Sequence, residues 1–256
     1  MSRSGKVPRI SIITVVRNGA SDLAQTIASV RAHHYDNLEY LVIDGASTDG
    51  TLDVIRANED IISSWLSEPD AGIYDAMNKG IARATGDYLL FLNARDELVV
   101  DLNALVPVLT EGFVMVYGKA NMIREDGTLS YVKGKPLKSA NKLLRGTPLC
   151  HQAILYRKSA IGRYDTRYRI IADRVLTYEL VKRHGLASSC FVDMAIARYH
   201  EGGYSRQNQL NWQREEYQFL RAAGRHVYAE YKRLGWWYKL WIKQPLARLR
   251  KGHGRI

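Results

Sequence analysis

The sequence has little cysteine and no long apolar segment. Its 256 residues include only Cys150 and Cys190, and no run of 18 apolar residues occurs. Two cysteines cannot build a disulfide framework and are typical of a reducing compartment, while the absent apolar run predicts no membrane-spanning helix. Residues 1–8 are polar and lack the apolar core of a signal peptide. We therefore expect a cytoplasmic protein.

The sequence also lacks the glycine-rich loops that commonly bind phosphates. No G-x-x-x-x-G-K-[ST] occurs, and the first apolar run is followed by RNGA (17–20) rather than by G-x-G-x-x-G. These absences argue against P-loop enzymes and against dinucleotide-binding folds.

Strand and helix patterns alternate over the first hundred residues. Apolar, β-branched runs predict strands, and segments with one apolar face predict helices between them. This alternation is typical of βαβ units and predicts an α/β fold with a mainly parallel sheet flanked by helices. Ser21 is expected to cap the first helix. The predicted strands cover 10–16, 39–44, 61–66 and 87–92, and the predicted helices cover 21–34, 48–58 and 73–84.

After about residue 110 the regular alternation ends. Further strands are predicted, together with a hairpin and a helix that ends at a glycine, and helices dominate from residue 205 onward. The strands cover 113–117, 150–156 and 190–199, the hairpin covers 120–132, and the helix covers 171–184.

Polar side chains follow the predicted strands of the first half. Asn18 comes after the first strand, Asp44 after the second, and Asn93 and Asp96 after the fourth. Ligands of parallel sheets bind beyond the carboxyl ends of the strands. Acids gathered there repel a bare phosphate, so either a divalent cation screens them or some of them accept hydrogen bonds from a base or sugar.

Positive charge is concentrated at the end of the chain. The net charge is +11, and residues 228–256 hold eight Lys or Arg residues and one acid, a net charge of +7. A nucleic-acid-binding protein would need basic and aromatic residues across a folded face. We therefore expect a partner specific to the tail, and no nucleic acid.

Four segments, in this order, resemble the inverting family-2 glycosyltransferases with a GT-A fold, in the branch that acts in bacterial polysaccharide and glycolipid assembly. They are VIDGASTDGT (42–51), SEPDAGIYDAMNKGIARATGDYLLFLNARD (67–96), CHQAILYRK (150–158) and YRIIADRVLTYEL (168–180). The resemblance covers about residues 8–205. It implies a Rossmann-like nucleotide-sugar-binding half at 8–100, an acceptor half at 101–205, and a helical extension at 206–256.

The resemblance implies an enzyme that moves a sugar from a nucleotide-diphosphate donor to a hydroxyl of a lipid-linked saccharide or glycolipid. Asp173 matches the family's catalytic base, with a buried helix-capping acid as the alternative. On the acceptor side the resemblance places His151 and Gln152. Because adjacent strand residues face opposite sides, only one of these two needs to reach the site, and for the same reason Cys150 is not expected to act as a nucleophile paired with His151.

On the donor side, the resemblance implies that Asp44 accepts a hydrogen bond from the base and that Asn18 lines the same pocket. A turn or helix cap is the alternative for Asp44. Gly72 would let the nucleotide approach the backbone closely. Asp75 and Asn78 face either the sugar or the solvent.

The fourth strand departs from the family pattern, in which an acid pair usually holds Mg2+ or Mn2+ against the diphosphate. Asp96 matches the metal-binding acid, but Arg95 stands where the first acid is common. Either Arg95 points away and Asn93 helps to bind the ribose or a metal-bound water, or Arg95 itself neutralises the diphosphate. We expect a site for Mg2+ or Mn2+ with a single carboxylate, and His200 is a candidate further ligand.

The composition of the last 29 residues predicts binding to a membrane surface. Trp237, Leu240 and Trp241 are spaced to share one helical face, and cations flank them within 228–251. This composition predicts peripheral binding to an anionic membrane at the inner face of the cell membrane, with a helix packed on the domain as the alternative. The rival functions are a nucleotidyltransferase on a similar sheet, for which RNGA is a poor loop, a basic nucleic-acid-binding protein, and a non-catalytic relative suggested by Arg95.

Overall fold

The computed structural model describes residues 7–202 and 208–238, with the side chains of 237 and 238 left out. The chain divides into two compact units, residues 1–202 and 203–256. Within the described ranges, no helix combines the length and apolar character needed to cross a membrane.

The first unit alternates strands and helices and then becomes richer in strands. Its described elements are β1 (Ile10–Val16), α1 (Ala20–Arg31), β2 (Leu38–Asp44), α2 (Thr51–Arg56), β3 (Ser64–Ser67), α3 (Ile73–Arg83), β4 (Tyr88–Phe91), β5 (Glu97–Leu98), α4 (Val106–Thr110), β6 (Met115–Ile123), β7 (Leu129–Lys133), α5 (Asn141–Arg145), β8 (Ile154–Arg157), α6 (Lys158–Ile161), α7 (Ala172–His184) and β9 (Ser189–His200).

All nine described strands belong to one sheet, in the order β3-β2-β1-β4-β8-β6-β9-β5, with β7 paired to β6. The half that contains β3, β2, β1 and β4 is parallel. The other half is mixed, because β8 runs antiparallel to β4 and β6 while β9 runs parallel to β6. The predicted α/β fold with helices around a mainly parallel sheet is confirmed. The carboxyl ends of β1, β2 and β4 therefore meet at one edge.

The core explains why the first strands were predictable. Every residue of β1 is buried, as expected for a strand covered on both faces. On α1 the buried residues Leu23, Ile27 and Val30 recur with helical spacing and join the same apolar cluster. The helix begins at Ala20 after Gly19, so the prediction that Ser21 caps it is wrong.

Two further boundaries differ from the prediction. β3 begins at Ser64 rather than at residue 61. Residues 151–153 form a 3-10 turn, and β8 starts only at Ile154. A short apolar run does not by itself distinguish a strand from a buried turn, and this difference matters for the site. The hairpin of β6 and β7 is confirmed.

The second unit contains two described helices, α8 (Gln209–Ala222) and α9 (His226–Tyr238). They pack through buried Phe219, Leu220 and Ala229. The rings of Trp212 and Trp236 meet edge to face, with their centroids 6.3 Å apart. Of the residues used to predict a membrane-binding face, Leu240 and Trp241 and the side chain of Trp237 lie outside the described part.

Candidate active site

Asp44 ends β2 at the sheet edge and has no exposed surface. Its Oδ2 accepts hydrogen bonds from the backbone N of Ser47 at 3.0 Å and from the hydroxyl of Ser67 at 2.6 Å. Its Oδ1 accepts a hydrogen bond from the hydroxyl of Ser47. Asp44 thus performs the turn-stabilising role considered as its alternative, and contact with a base stays a prediction.

Asn18 lies in the loop after β1 and joins that loop to the one after β2. Its Oδ1 accepts a hydrogen bond from the N of Thr48 at 2.8 Å, and its own N donates to Ser47 Oγ at 2.7 Å. Its φ of 50° is in the left-handed region, which asparagine tolerates better than most residues. The exposed Asn18 therefore shapes the rim of the predicted base pocket.

The backbone at the start of α3 has a positive φ at Gly72, and the predicted close approach of the nucleotide there stays a prediction. Gly72 has φ 129°, a value that side-chain-bearing residues rarely adopt. Its N donates to Asp70 Oδ1 at 2.8 Å. Asp75 accepts a hydrogen bond from the N of Ala71 at 3.1 Å and lies 3.7 Å from Lys79. The carboxylate of Asp75 therefore stabilises the loop that leads into the helix.

Asn78 has neither of the two predicted surroundings. It is buried, its Nδ2 donates to the O of Tyr164 at 3.0 Å, and its Oδ1 accepts from the N of Tyr164 at 2.8 Å. The side chain faces neither the sugar nor the solvent, because it holds a backbone segment 86 residues away. This is a correction to the sequence prediction.

The turn after β4 carries the acid predicted to bind metal. Arg95 has φ 80°, and its N donates to the O of Asp22 at 3.0 Å. Asp96 is buried, and its Oδ1 accepts a hydrogen bond from the backbone N of His200 at 3.1 Å. Burial raises the pKa of Asp96 to about 8, although His200 N–H, the charge of Arg95 and a hydrogen bond from Gln152 oppose the shift. Such a carboxyl is stabilised as the anion when a cation binds beside it.

The residues of this turn fit a divalent cation that brings most of its own ligands. Among the described residues, no group of three or more His, Cys, Asp or Glu side chains could hold a metal. Asn93 Oδ1, in the same turn as Asp96, is buried without a hydrogen-bond partner. Mg2+ often binds through one or two protein oxygens, with phosphates and water completing its shell. Asp96 and Asn93 are therefore the residues that would hold Mg2+ or Mn2+ beside a diphosphate.

The ring of His200 has a different partner. Its Nε2 lies 2.9 Å from Glu97 Oε1 and 3.3 Å from Gln25 Nε2. Glu97 also accepts hydrogen bonds from Gln25 and Arg198. The structure therefore assigns the imidazole of His200 to a polar network around Glu97, and only its backbone N reaches Asp96. A role of the ring as a metal ligand stays a prediction.

His151 and Gln152 both reach the site, because they lie in a 3-10 turn rather than in a strand. The expectation that only one of them needs to reach the site assumed a strand, and the 3-10 turn removes that assumption. Gln152 forms a hydrogen bond to Asp96. The Nε2 of His151 is 2.6 Å from the hydroxyl of Tyr164, and its ring stacks on Phe91 at 5.1 Å. Burial lowers the pKa of His151, and the charge of Asp173 opposes that shift.

Cys150 is not paired with a base. Its Sγ donates to Gln152 Oε1 at 3.1 Å, and burial raises its pKa to about 12. A thiol of this kind is not a nucleophile at neutral pH, which agrees with the sequence argument against a cysteine enzyme.

Asp173, the predicted base, lies in the first turn of α7, where Ile171 rather than Asp173 is the N-cap. Its Oδ1 accepts hydrogen bonds from the hydroxyl of Tyr74 at 3.1 Å and from the N of Arg174 at 2.8 Å. The side chain is half-buried, and within the described part of the chain its Oδ2 accepts no hydrogen bond. One carboxylate oxygen is thus fixed, and the other is available.

A connected set of contacts links the two ends of the site. Gln152 binds Asp96, and its neighbour His151 binds the hydroxyl of Tyr164. The rings of Tyr164 and Tyr74 lie 5.3 Å apart, and Tyr74 binds Asp173. The structure therefore brings the predicted metal acid, both acceptor-side residues and the predicted base to one wall.

Sequence reasoning did not single out several residues that build this wall. Tyr74 lies in the segment GIYDAMN, in which the sequence predicted only Gly72, Asp75 and Asn78 as site residues. The polar residues that complete the site are Ser47, Ser67, Tyr74, Glu97 and Tyr164. The one available signal was that Tyr74, with its aromatic ring and hydroxyl, lies between two predicted site residues.

Known proteins are similar to this chain in sequence or in architecture. An uncharacterized glycosyltransferase of Mycobacterium tuberculosis is 38% identical over 175 residues, which cover 65% of this chain and 66% of that relative. The chain thus spans just under two thirds of that relative's length. A PGL/p-HBAD biosynthesis glycosyltransferase of Mycobacterium bovis is 32% identical over 206 residues, which cover 77% of this chain and 78% of that relative.

A solved structure shows the same fold at low sequence identity. The mannosyltransferase PcManGT of Pyrobaculum calidifontis, in complex with GDP-Man and Mn2+, is 17% identical, has a TM-score of 0.61, and is matched over 85% of this chain and 64% of that one. The shared architecture is the GT-A fold. The model of the family described as Glycosyl transferase family 2 matches residues 11–183, which hold the strand-end residues, the 3-10 turn and Asp173. This chain therefore belongs to glycosyl transferase family 2.

Proposed function

We propose that the protein is an inverting glycosyltransferase, which moves a sugar from a nucleotide-diphosphate donor to a hydroxyl of a lipid-linked saccharide or glycolipid. The observation that carries the proposal is Asp173, whose Oδ1 is held by two donors while its Oδ2 is available. The relative from Mycobacterium bovis, named for PGL/p-HBAD biosynthesis, supports the glycolipid acceptor. The GDP-Man complex of PcManGT supports the nucleotide-sugar donor.

In the proposed reaction the acceptor hydroxyl attacks C1 of the sugar while the bond from C1 to the diphosphate oxygen breaks on the opposite face. Asp173 Oδ2 takes the proton of the attacking hydroxyl, as a general base must. Tyr74 and the N–H of Arg174 hold the carboxylate in position through Oδ1. The Nε2 of His151 is already engaged with the hydroxyl of Tyr164 at 2.6 Å, so we assign the proton to the available Oδ2 of Asp173.

On the donor side we propose that Mg2+ or Mn2+ binds at Asp96, with Asn93 Oδ1 as a second oxygen. When bound, the metal neutralises charge on the diphosphate leaving group. Arg95 lies in the same turn, and its charge acts on Asp96, so it adds to that neutralisation. We expect Asp96→Ala to remove most activity together with its metal dependence. Full activity of the unaltered enzyme in excess EDTA would instead assign the diphosphate charge to Arg95.

The base of the donor is proposed to bind beyond β1 and β2. Asn18 lies at the rim of that region. Asp44 orients Ser47 and Ser67, because its carboxylate accepts hydrogen bonds from their hydroxyls. Gly72 has no side chain and a positive φ, which supports close approach of the nucleotide. Asp75 lies in the first turn of α3 and is proposed to border the sugar.

The decisive experiment is Asp173→Asn. We expect turnover to fall by about 10²–10⁴, the usual contribution of a general base, while donor affinity measured by calorimetry stays unchanged. Asp165→Asn is a matched control, because Asp165 lies in the preceding segment and pairs with exposed Arg167. Turnover of a folded Asp173→Asn protein that equals the control would refute the assignment. Donor hydrolysis across a panel of nucleotide sugars separates a glycosyltransferase from a nucleotidyltransferase.

We also propose that residues 8–205 form the transferase domain, and that the extension at 206–256 binds the inner face of the cell membrane through 228–251. Net charge of +7 from residue 228 onward supports an anionic surface. A chain ending at Tyr238 tests this, because it loses six of the eight cations but keeps Lys232, which pairs with Glu216. We expect it to hydrolyse donor normally and to sediment less with anionic vesicles. Equal sedimentation would exclude the removed segment as the anchor.

A further inference from the structure

Helix α9 has an exposed apolar face that no described residue covers. Val227 is 87% exposed, Tyr231 is 71% exposed and Leu234 is 62% exposed. Their spacing of four and three residues puts them on one face of the helix. We call these three residues the α9 stripe.

The opposite face of α9 is already occupied, which fixes the orientation of the stripe. Ala229 is fully buried, Lys232 lies 3.2 Å from the buried carboxylate of Glu216, and Trp236 meets Trp212. Burying the stripe against α8 would break these contacts, so they keep α9 from rotating. The stripe stays on the outside of this helical pair.

The charge of the surrounding chain indicates what covers the stripe. The chain from residue 228 onward has eight Lys or Arg residues and one acid. That acid, Glu230, is paired with Arg221 and Arg233. A second copy would bring the same positive charge to the interface, whereas an anionic lipid surface complements the charge and also accepts apolar side chains.

We propose that the α9 stripe inserts into the headgroup boundary of an anionic membrane. Tyr231 suits this position because its ring is apolar and its hydroxyl is polar. The proposal deepens the proposed function, on which it rests for a lipid-borne acceptor. It adds three residues nearer the start of the helix to the membrane-binding face that the sequence predicts.

The test compares two double variants of the full chain. Val227→Asp with Leu234→Asp alters the stripe, and Leu129→Asp with Leu210→Asp is the matched control, because these leucines are exposed elsewhere, at 54% and 68%. Both pairs change the net charge equally. Co-sedimentation is measured with vesicles of phosphatidylglycerol and phosphatidylcholine, and circular dichroism checks folding. We expect the stripe variant to bind about tenfold more weakly or worse, since it loses apolar insertion and repels the anionic surface, and the control to bind within about threefold of the original protein.

A second measurement does not depend on the acidic variants. An environment-sensitive fluorophore is attached at Leu234→Cys, or at Leu210→Cys as the control, in a Cys190→Ser background. We expect vesicles to shift the emission to the blue only at position 234. Equal losses in both double variants, or equal shifts at both positions, would overturn the proposal. So would sedimentation-equilibrium data in which the stripe variant abolishes a dimer of the original chain without changing vesicle binding. Donor hydrolysis should be unchanged in both double variants, and its absence in the original chain would refute the proposed function rather than the stripe.

Discussion

Tyr74→Phe tests whether the fixed oxygen of Asp173 matters for catalysis. The hydroxyl of Tyr74 donates to Asp173 Oδ1 at 3.1 Å and also lies 2.9 Å from the O of Ile170. Phenylalanine keeps the ring, and with it the contact to Tyr164 at 5.3 Å. The substitution therefore removes one donor to the carboxylate with little change in packing.

The size of the effect follows from the contacts. A hydrogen bond to a charged group contributes about 1.5–3 kcal/mol. Complete loss of that contribution in the transition state would lower the rate by about 10- to 150-fold. The hydroxyl proton is shared with the carbonyl of Ile170, and Asp173 Oδ1 keeps the N–H of Arg174. We therefore expect kcat to fall by about tenfold, near the lower end of that range. The KM for the donor should stay within about twofold, because Tyr74 contacts the proposed general base Asp173 and not Asp96 on the donor side.

The assay is initial-rate transfer at saturating acceptor, with the donor varied. Tyr88→Phe is the control, because Tyr88 is also buried and its hydroxyl donates to a backbone carbonyl, that of Phe113 at 2.7 Å. It should lose similar stability but keep its kcat. If both variants lose kcat equally, or if Tyr74→Phe retains full kcat, then Tyr74 does not position the base.

Two predictions concern stability. Asn78→Leu leaves the buried N–H and C=O of Tyr164 unpaired and should lower the free energy of unfolding by about 2–4 kcal/mol; a loss below about 1 kcal/mol in urea titration would contradict this. Burial alone would raise the pKa of Glu39, but hydrogen bonds from Ser11 and Thr85 and the charge of Arg9 lower it. The stabilisation by Glu39 is therefore present above its unfolded pKa of about 4.3 and is lost as pH falls through the folded pKa. Glu39→Gln should be less stable than the original protein near neutral pH, with the gap closing at acidic pH, and a pH-independent gap would refute the reasoning.

The parts of the fold that sequence could predict are those with a strong local signal. β1 was predicted with its observed bounds because a continuous β-branched run is what a strand buried on both faces requires. The turn at 151–153 was missed because its three residues are buried and lead directly into the apolar run of β8, and burial alone does not define backbone geometry. Gly72 was named only through the family resemblance, and its positive φ could not be read from the sequence.

The site was predictable in position but not in its contacts. Parallel strands bring their carboxyl ends together, so Asp44 and Asp96 could be placed at one edge before the structure was known. The partner of Asn78 lies 86 residues away, and Tyr74 lies 99 residues from Asp173. Contacts at such separations depend on how helices pack on the sheet, and they leave no periodic pattern in the sequence.

The buried thiol of Cys150 is a built-in probe of local opening at the site, because its alkylation rate reports how often the site opens. Its thiol is 4% exposed, with a pKa of about 12, and it binds Gln152, which in turn binds Asp96. Alkylation of this thiol requires the wall to separate, so its slow rate measures the frequency of local opening. Cys190, only half-buried, gives an internal reference in the same molecule. A bound donor that braces Asp96 should therefore lengthen the lifetime of the Cys150 thiol without altering that of Cys190.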